Sequence, residues 1–207
     1  MKIYARVRIP DSIRKDIYGT LQSLAERYKI PHAGDDLHWT IKAPFTPKDR
    51  HYKKVLKLFS YHSAKVRDKK LRIGGVLCFG DWTPEVLTNT KIGDPKGLPK
   101  INHITMGIRL SDDLMKLHSN IIRDFEEGEL FPSDYYTEME QWNIPHISLL
   151  NSLTQAPEWK AKAVRDAVHR SPLFRYKNEF EATEIEILGK ITGRWQTIDL
   201  IPLGPSA

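Results

Sequence analysis

Leu37-His38-Trp39-Thr40-Ile41-Lys42, preceded by Asp35-Asp36 and followed by Pro44, reads as a β-strand built from aromatic and β-branched residues between turn formers. Strand side chains alternate faces, so His38, Thr40 and Lys42 fall on one side and Trp39 and Ile41 on the other. The apolar pair suits packing against a helix layer. The opposite face offers an imidazole, a hydroxyl and an ammonium in one row, a set of groups able to grip a phosphate. A single His-x-Thr is short enough to recur by chance. A second stretch, Pro145-His146-Ile147-Ser148-Leu149, repeats both the histidine-to-hydroxyl offset and the face logic.

The surroundings of the two stretches repeat as well. Residues 2–9 alternate, with Ile3, Ala5, Val7 and Ile9 on one face and Tyr4, Arg6 and Arg8 on the other. Pro10-Asp11-Ser12 opens a helix whose stripe is Ile13, Ile17, Leu21, Leu24 and Tyr28. After the His38 strand, a helix is expected near 49–63 and a strand from Leu71 to Phe79. Residues 81–100 read as a long Pro- and Gly-rich loop. The order then recurs. Ile101 to Leu110 is a strand; Ser111-Asp112-Asp113 caps a helix carrying Leu114, Leu117, Ile121 and Phe125. Residues 129–144 form an acidic and aromatic loop, and the His146 strand follows. Next come a helix from Pro157 to about Arg170 and closing strands at about 179–189 and 194–202, around a turn at Thr192-Gly193. His38 and His146 stand 108 residues apart and the opening strands about 100. The expected architecture is one α+β domain, 1–207, of two pseudo-symmetric lobes approximating 1–80 and 101–203. Each lobe is a largely antiparallel sheet with helices on its outer face, and the polar faces meet in a cleft.

His103-Ile104-Thr105 is a third match, and local pattern alone does not reject it. Its place in the repeat does. His103 lies on the strand that opens the second half and so corresponds to the strand of Tyr4, Arg6 and Arg8, whereas His146 corresponds to His38. His103 and Thr105 are therefore expected to line the cleft. The remaining histidines (32, 51, 62, 118 and 169) fall in loops or helices with no partner motif, where solvated surface is the default.

Composition sets broad limits. No apolar run is long enough to span a membrane, and the start, Met1 to Arg6, lacks the apolar core of a signal peptide. A single cysteine, Cys78, excludes an internal disulfide framework and argues against a cysteine zinc site, which fits a reducing cytoplasm. A net charge of +6 favours an anionic partner such as a nucleotide or RNA. No His-Glu-x-x-His, cysteine pair or carboxylate cluster signals a metal.

The paired His-x-[Thr/Ser] motifs resemble those of the two-histidine phosphoesterases, the LigT-like group that includes RNA 2′,3′-cyclic phosphodiesterases. The likeness extends from the opening strand through His38-Trp39-Thr40, Pro44-Phe45 and His146-Ile147-Ser148 to the final Leu200-Ile201-Pro202-Leu203. Ser148 stands where threonine is commoner, and the hydroxyl is kept. The resemblance implies a monomeric, cofactor-free and metal-independent phosphodiesterase with His38 and His146 as catalytic pair and Thr40 and Ser148 as hydrogen-bond donors to the phosphate. Its substrates would be RNA ends, 2′-5′ oligonucleotides or cyclic oligonucleotides.

The residues support that chemistry in their own right. Opening a cyclic phosphate needs water deprotonated on one side and the leaving ribose oxygen protonated on the other. Imidazole, with a pKa of about 6.5, serves either role. Hydroxyls can donate to the non-bridging oxygens as charge shifts. Lys42, Arg6 and Arg8 are candidate phosphate holders, and Tyr4, Phe45 and Trp82 candidate base-stacking rings. Sequence alone leaves open which histidine is acid and which is base; the resemblance assigns the acid to His38 and the base to His146. The alternative is a catalytically idle RNA- or nucleotide-binding module on the same scaffold, which has no chemical need for paired imidazoles.

Overall fold

A computed structural model describes residues 1–32, 36–47, 51–79, 103–127, 145–150, 153 and 156–205. Among these residues eight strands, β1 (Ile3–Arg8), β2 (His38–Phe45), β3 (Lys70–Phe79), β4 (His103–Leu110), β5 (His146–Leu150), β6 (Lys177–Glu181), β7 (Glu184–Ile191) and β8 (Arg194–Pro202), form one sheet in the order β6-β3-β4-β5-β2-β1-β7-β8. Every pairing between neighbours is antiparallel. Among the described residues four α-helices, α1 (Asp11–Tyr28), α2 (Tyr52–Ser63), α3 (Asp112–Glu127) and α4 (Glu158–Arg170), and a short 3-10 helix (Pro172–Arg175) make the fold α+β.

The helices start and stop where the sequence says they should. Pro10 stands at the N-cap of α1 and Asp11 in its first turn, where a missing N–H costs nothing and a negative charge meets the positive helix end. The Leu114 amide donates to the Ser111 hydroxyl at the start of α3 (3.3 Å). Lys29 ends α1 in the left-handed conformation (φ 48°). Ile13, Ile17 and Leu21 of α1, Val55 and Phe59 of α2, Leu114 and Phe125 of α3 and Val164 and Val168 of α4 are buried in one continuous core. From the sheet, Val7, Trp39, Ile41, Met106 and Ile147 join it. Among the described residues no helix is long and apolar enough to cross a membrane.

The sheet divides into two four-stranded lobes, β6-β3-β4-β5 and β2-β1-β7-β8, joined where Trp39 faces Ile147. They are related as the repeat implies: β1 flanks β2 as β4 flanks β5, with α1 and α3 as the intervening helices. The lobes do not follow the 1–80 and 101–203 halves of the chain. One strand of each half crosses over, β3 pairing with β4 and β7 pairing with β1.

The strand expected over 179–189 is two strands. β6 and β7 are separated by Ala182 and Thr183, where the Ala182 amide bonds to the Lys69 carbonyl (2.9 Å) and the Leu203 amide to the Thr183 carbonyl (2.9 Å). β6 and β7 lie six places apart in the sheet order, which in a flat sheet is ~29 Å at ~4.8 Å per strand. The Glu181-to-Glu184 link spans at most ~11 Å. The sheet must bend so that its halves approach each other.

Two histidines expected at the surface are buried. His62 of α2 meets the Asp124 carboxylate of α3 at 2.7 Å, and His118 of α3 lies under β2, its pKa pushed down to about 4 by burial and by the nearby Lys42 charge. Both sit on helix faces that turn toward the core, so the helical stripe took them inward.

Candidate active site

The register at the lobe junction fixes the site. Because Trp39 faces Ile147 across two antiparallel strands, His38 stands opposite Ser148 and Thr40 opposite His146. All four lie on the polar side of the sheet and are half-buried, while Trp39 and Ile147 are sealed in the core beneath. The arrangement is crossed. One diagonal joins the two histidines and the other joins the two hydroxyls, each spanning about 7–8 Å between Cβ positions.

The flanking strands extend these rows. Arg8 faces His38 and Arg6 faces Thr40 from β1; Gly107 faces His146 and Thr105 faces Ser148 from β4. Gly107 and Thr105 thus hold the places of Arg8 and Arg6, and continuing the match puts His103 in the place of Tyr4. His103 is half-buried at the start of β4, and Thr105 is fully buried with its hydroxyl unbonded among the described residues.

His38 is held in one tautomer. Its Nδ1 lies 2.7 Å from the carbonyl oxygen of Asp36, which only accepts, so Nδ1 carries a proton and Nε2 is the nitrogen left to titrate. Burial pushes the imidazole pKa below its ordinary value of 6.5; the Asp36 carbonyl and carboxylate pull the other way but do not prevail.

A network centred on the buried Arg6 and Glu186 braces that arrangement. Arg6 donates from Nε to Glu186 of β7 (2.6 Å), from Nη1 to the Tyr4 hydroxyl (3.0 Å), and from Nη1 to the Asp36 carboxylate. Thr197 of β8 donates to the other Glu186 oxygen. The Tyr4 ring stands edge-on to Trp195 at 4.7 Å and lies 5.9 Å from the His38 ring. Burial pushes the Tyr4 hydroxyl up to about 12, so it stays protonated. Arg6 and Tyr4, expected as ligand contacts, are instead buried supports of His38. Arg8 is exposed opposite His38 and has no ion pair among the described residues.

Two expected contacts turn away from the site. Thr40 faces Arg6, but the next pair is Lys42 with Ala5, so Ile41 is an extra residue that bulges the strand. The bulge swings Lys42 to the helix side, where it is 1 % exposed with Nζ 5.1 Å from the Phe45 ring centre and 5.9 Å from that of Phe125 on α3. Phe45 packs edge-on against Phe125 at 5.1 Å and belongs to the core. Trp82 and the two long loops lie outside the described residues.

Asp36, Glu186, Trp195 and Thr197 escaped sequence reading. The alternation Glu184-Ile185-Glu186-Ile187 does mark Glu186 as the polar-face residue of its strand. Nothing local signals that its partner is Arg6, 180 residues away.

No family model matches the chain, and no curated protein is significantly similar to it in sequence. Solved structures are similar in fold. TT0787 of Thermus thermophilus aligns over 100% of both chains with TM-score 0.69 and 14% identity. E. coli LigT complexed with 3′-AMP aligns over 98% of each chain with TM-score 0.58 and 14% identity. Kluyveromyces marxianus Usb1 aligns over 98% of each with TM-score 0.50 and 11% identity. The chain has the LigT-like bilobal fold.

Proposed function

We propose that this protein is a two-histidine phosphoesterase, a phosphodiesterase that needs no metal and hydrolyses cyclic phosphodiesters of RNA ends or small cyclic or 2′-5′ oligonucleotides. The observation that carries the reading is the Trp39–Ile147 register, which crosses the two His-x-[Thr/Ser] motifs at the junction of the lobes. Likeness of fold to structures described as a phosphoesterase and as LigT complexed with 3′-AMP supports the same class.

In displacement at phosphorus the entering and leaving oxygens lie roughly in line on opposite sides. A phosphate centred in the crossed quartet meets one imidazole at each end of that line and one hydroxyl toward each non-bridging oxygen. His146 takes the proton of water, and His38 Nε2 gives one to the leaving ribose oxygen. Thr40 and Ser148 donate to the charge that builds on the non-bridging oxygens. Microscopic reversibility exchanges the two histidines' roles for ring closure or ligation. The protein works as a cytoplasmic monomer, with His103 and Thr105 beside the second motif and Arg8 beside the first.

The test is turnover of a nucleoside 2′,3′-cyclic phosphate, a 2′-5′ oligoadenylate and a cyclic dinucleotide, each with EDTA present. His38→Ala and His146→Ala should each lower kcat by about 10²–10⁴ with the fold retained, since each removes a proton-transfer group. Thr40→Ala and Ser148→Ala, which remove one donor each, should cost less. Near-native kcat in either histidine variant, or binding of all three compounds without turnover, leaves the idle binding module as the correct reading. A strict demand for added Mg²⁺ or Zn²⁺ points to different chemistry.

A further inference from the structure

We propose that a shallow cationic hollow on the polar face of β3, β4 and β6 is a second phosphate subsite. It would hold the backbone phosphate of a nucleotide flanking the scissile diester, so that the substrate is an oligonucleotide and not a mononucleotide. This rests on the phosphodiesterase reading above.

Arg72 of β3 and Arg109 of β4 are direct cross-strand partners, and both are exposed on the face that carries Thr105 and Gly107. Like charges directly opposite each other destabilise a sheet unless an anion lies between them. Glu179 of β6 faces Arg72 and pairs with it at the surface, where such pairs contribute little and exchange readily. Arg109 has no ion pair among the described residues, and neither has Lys177, which faces Gly74 on the far side of β3. Arg72, Gly74, Arg109, Lys177 and Glu179, with Ile73 and Asn178, line a hollow of ≈ 500 Å³ that holds three cations and one carboxylate; Arg72 and Arg109 also border a neighbouring hollow lined by Asp68, Asp112 and Asp113.

The hollow communicates with the histidine pair. Arg109 lies two residues along β4 from Gly107, which faces His146, a step of about 7 Å along one strand face. The row from His146 crosses β4 at Gly107, which lies against the β3 bulge at Gly74 and Gly75, and Gly74 faces Lys177 beyond it. A Cβ on Gly107 would stand 3.1 Å from the Gly74 carbonyl oxygen and 3.5 Å from Leu77 Cδ1, so the floor there is backbone and the edge of Leu77. Glycine inside a strand is where another backbone can approach closely. A phosphate between His38 and His146 and a second one over Arg72 and Arg109 would be joined by chain crossing this floor. Exposed, positionally simple cations of this kind track a nucleic-acid backbone without reading bases.

The experiment compares a mononucleoside 2′,3′-cyclic phosphate with a trinucleotide bearing the same cyclic end, in wild type and in the exposed double variant Arg72→Gln/Arg109→Gln. Wild type should prefer the trinucleotide. The double variant should lose about tenfold or more in kcat/KM on the trinucleotide and less than twofold on the mononucleotide, and its log–log salt dependence should flatten by about 0.7 for each phosphate left without its cation. Glu179→Gln, which frees Arg72, should improve the trinucleotide reaction. Equal losses on both substrates, no loss on either, or a weaker trinucleotide reaction in Glu179→Gln would overturn the subsite. Should wild type turn over neither substrate, the phosphodiesterase reading falls and equilibrium binding of the fluorescein-labelled trinucleotide decides. Binding weakened in the double variant keeps the cationic site; equal binding removes it.

Discussion

The protonation state of His38 follows from what surrounds one ring. Burial depresses its pKa below 6.5, and the Asp36 carbonyl commits Nδ1, so only Nε2 responds to pH. A general acid must start protonated. If His38 is the acid, kcat/KM, which reports the free enzyme, falls as pH rises through a value below 6.5, and its maximum lies on the acid side of neutrality. A bound phosphate adds negative charge beside the ring and raises its pKa, so the same limb in kcat moves to higher pH. The second limb belongs to the neutral base, and the two values describe the coupled pair. A kcat/KM that climbs between pH 5.5 and 7.5 would reverse the assignment and give the acid role to His146. At this scale the sequence marks the candidate reacting groups but not their supports. His38, Thr40, His146 and Ser148 are marked by a local pattern, whereas Arg6 is marked only as a cation. Its neutralisation by Glu186 and Asp36 depends on strand neighbours distant in sequence.

At the level of elements the repeat was the informative signal, because strand–helix–strand order survives where identity does not. It placed β4 in the role of β1 before any pairing was known, and the register agrees, putting His103 where the first lobe has Tyr4. Motif counting alone makes His103 a rival to His146. Its position gives it contact with a ligand or with a neighbouring ring, but no opposing motif. His103→Ala is therefore expected to raise KM more than it lowers kcat, the signature of lost uniform binding. Single-turnover rates for His103→Ala and His146→Ala on one substrate test this, and a chemically dead His103 variant beside an active His146 variant would pair His38 with His103 instead. What the repeat could not reveal was the bulge at Ile41. Alternation put Lys42 in the row of His38 and Thr40, and one extra residue in the β1–β2 pairing turned it into the core. Single insertions leave hydrophobic periodicity almost unchanged, so pattern reading passes over them.

Across the whole molecule, the exchange of β3 and β7 ties the lobes into one folding unit. The expected division near residues 80 and 101 makes each lobe a contiguous half of the chain, a design in which one could melt before the other. In the observed topology β3 leaves the first repeat to lie between β6 and β4, and from the end of the chain β7 comes to flank β1 with β8 outside it. Neither lobe keeps its sheet if either half of the chain unravels. The core points the same way, since the apolar faces of all four helices and both lobes merge in one cluster. At 207 residues size alone permits populated intermediates, so the topology makes a definite claim. Urea unfolding should give one transition whose midpoint is the same by far-UV circular dichroism and by tryptophan fluorescence. The fluorescence is a fair reporter because Trp39 is sealed under the lobe junction while Trp195 stands beside Tyr4 on the outermost strand of one lobe. Truncation after residue 183 sharpens the test. It removes β7 and β8, leaves the Arg6 charge without Glu186 and bares the edge of β1, yet all of β6-β3-β4-β5 remains present in the sequence. The truncated chain should fail to fold, although one complete lobe is still encoded. A cooperative transition in that fragment, or two separated midpoints in the intact protein, would mean that the lobes are stable independently and that the strand exchange does not couple them.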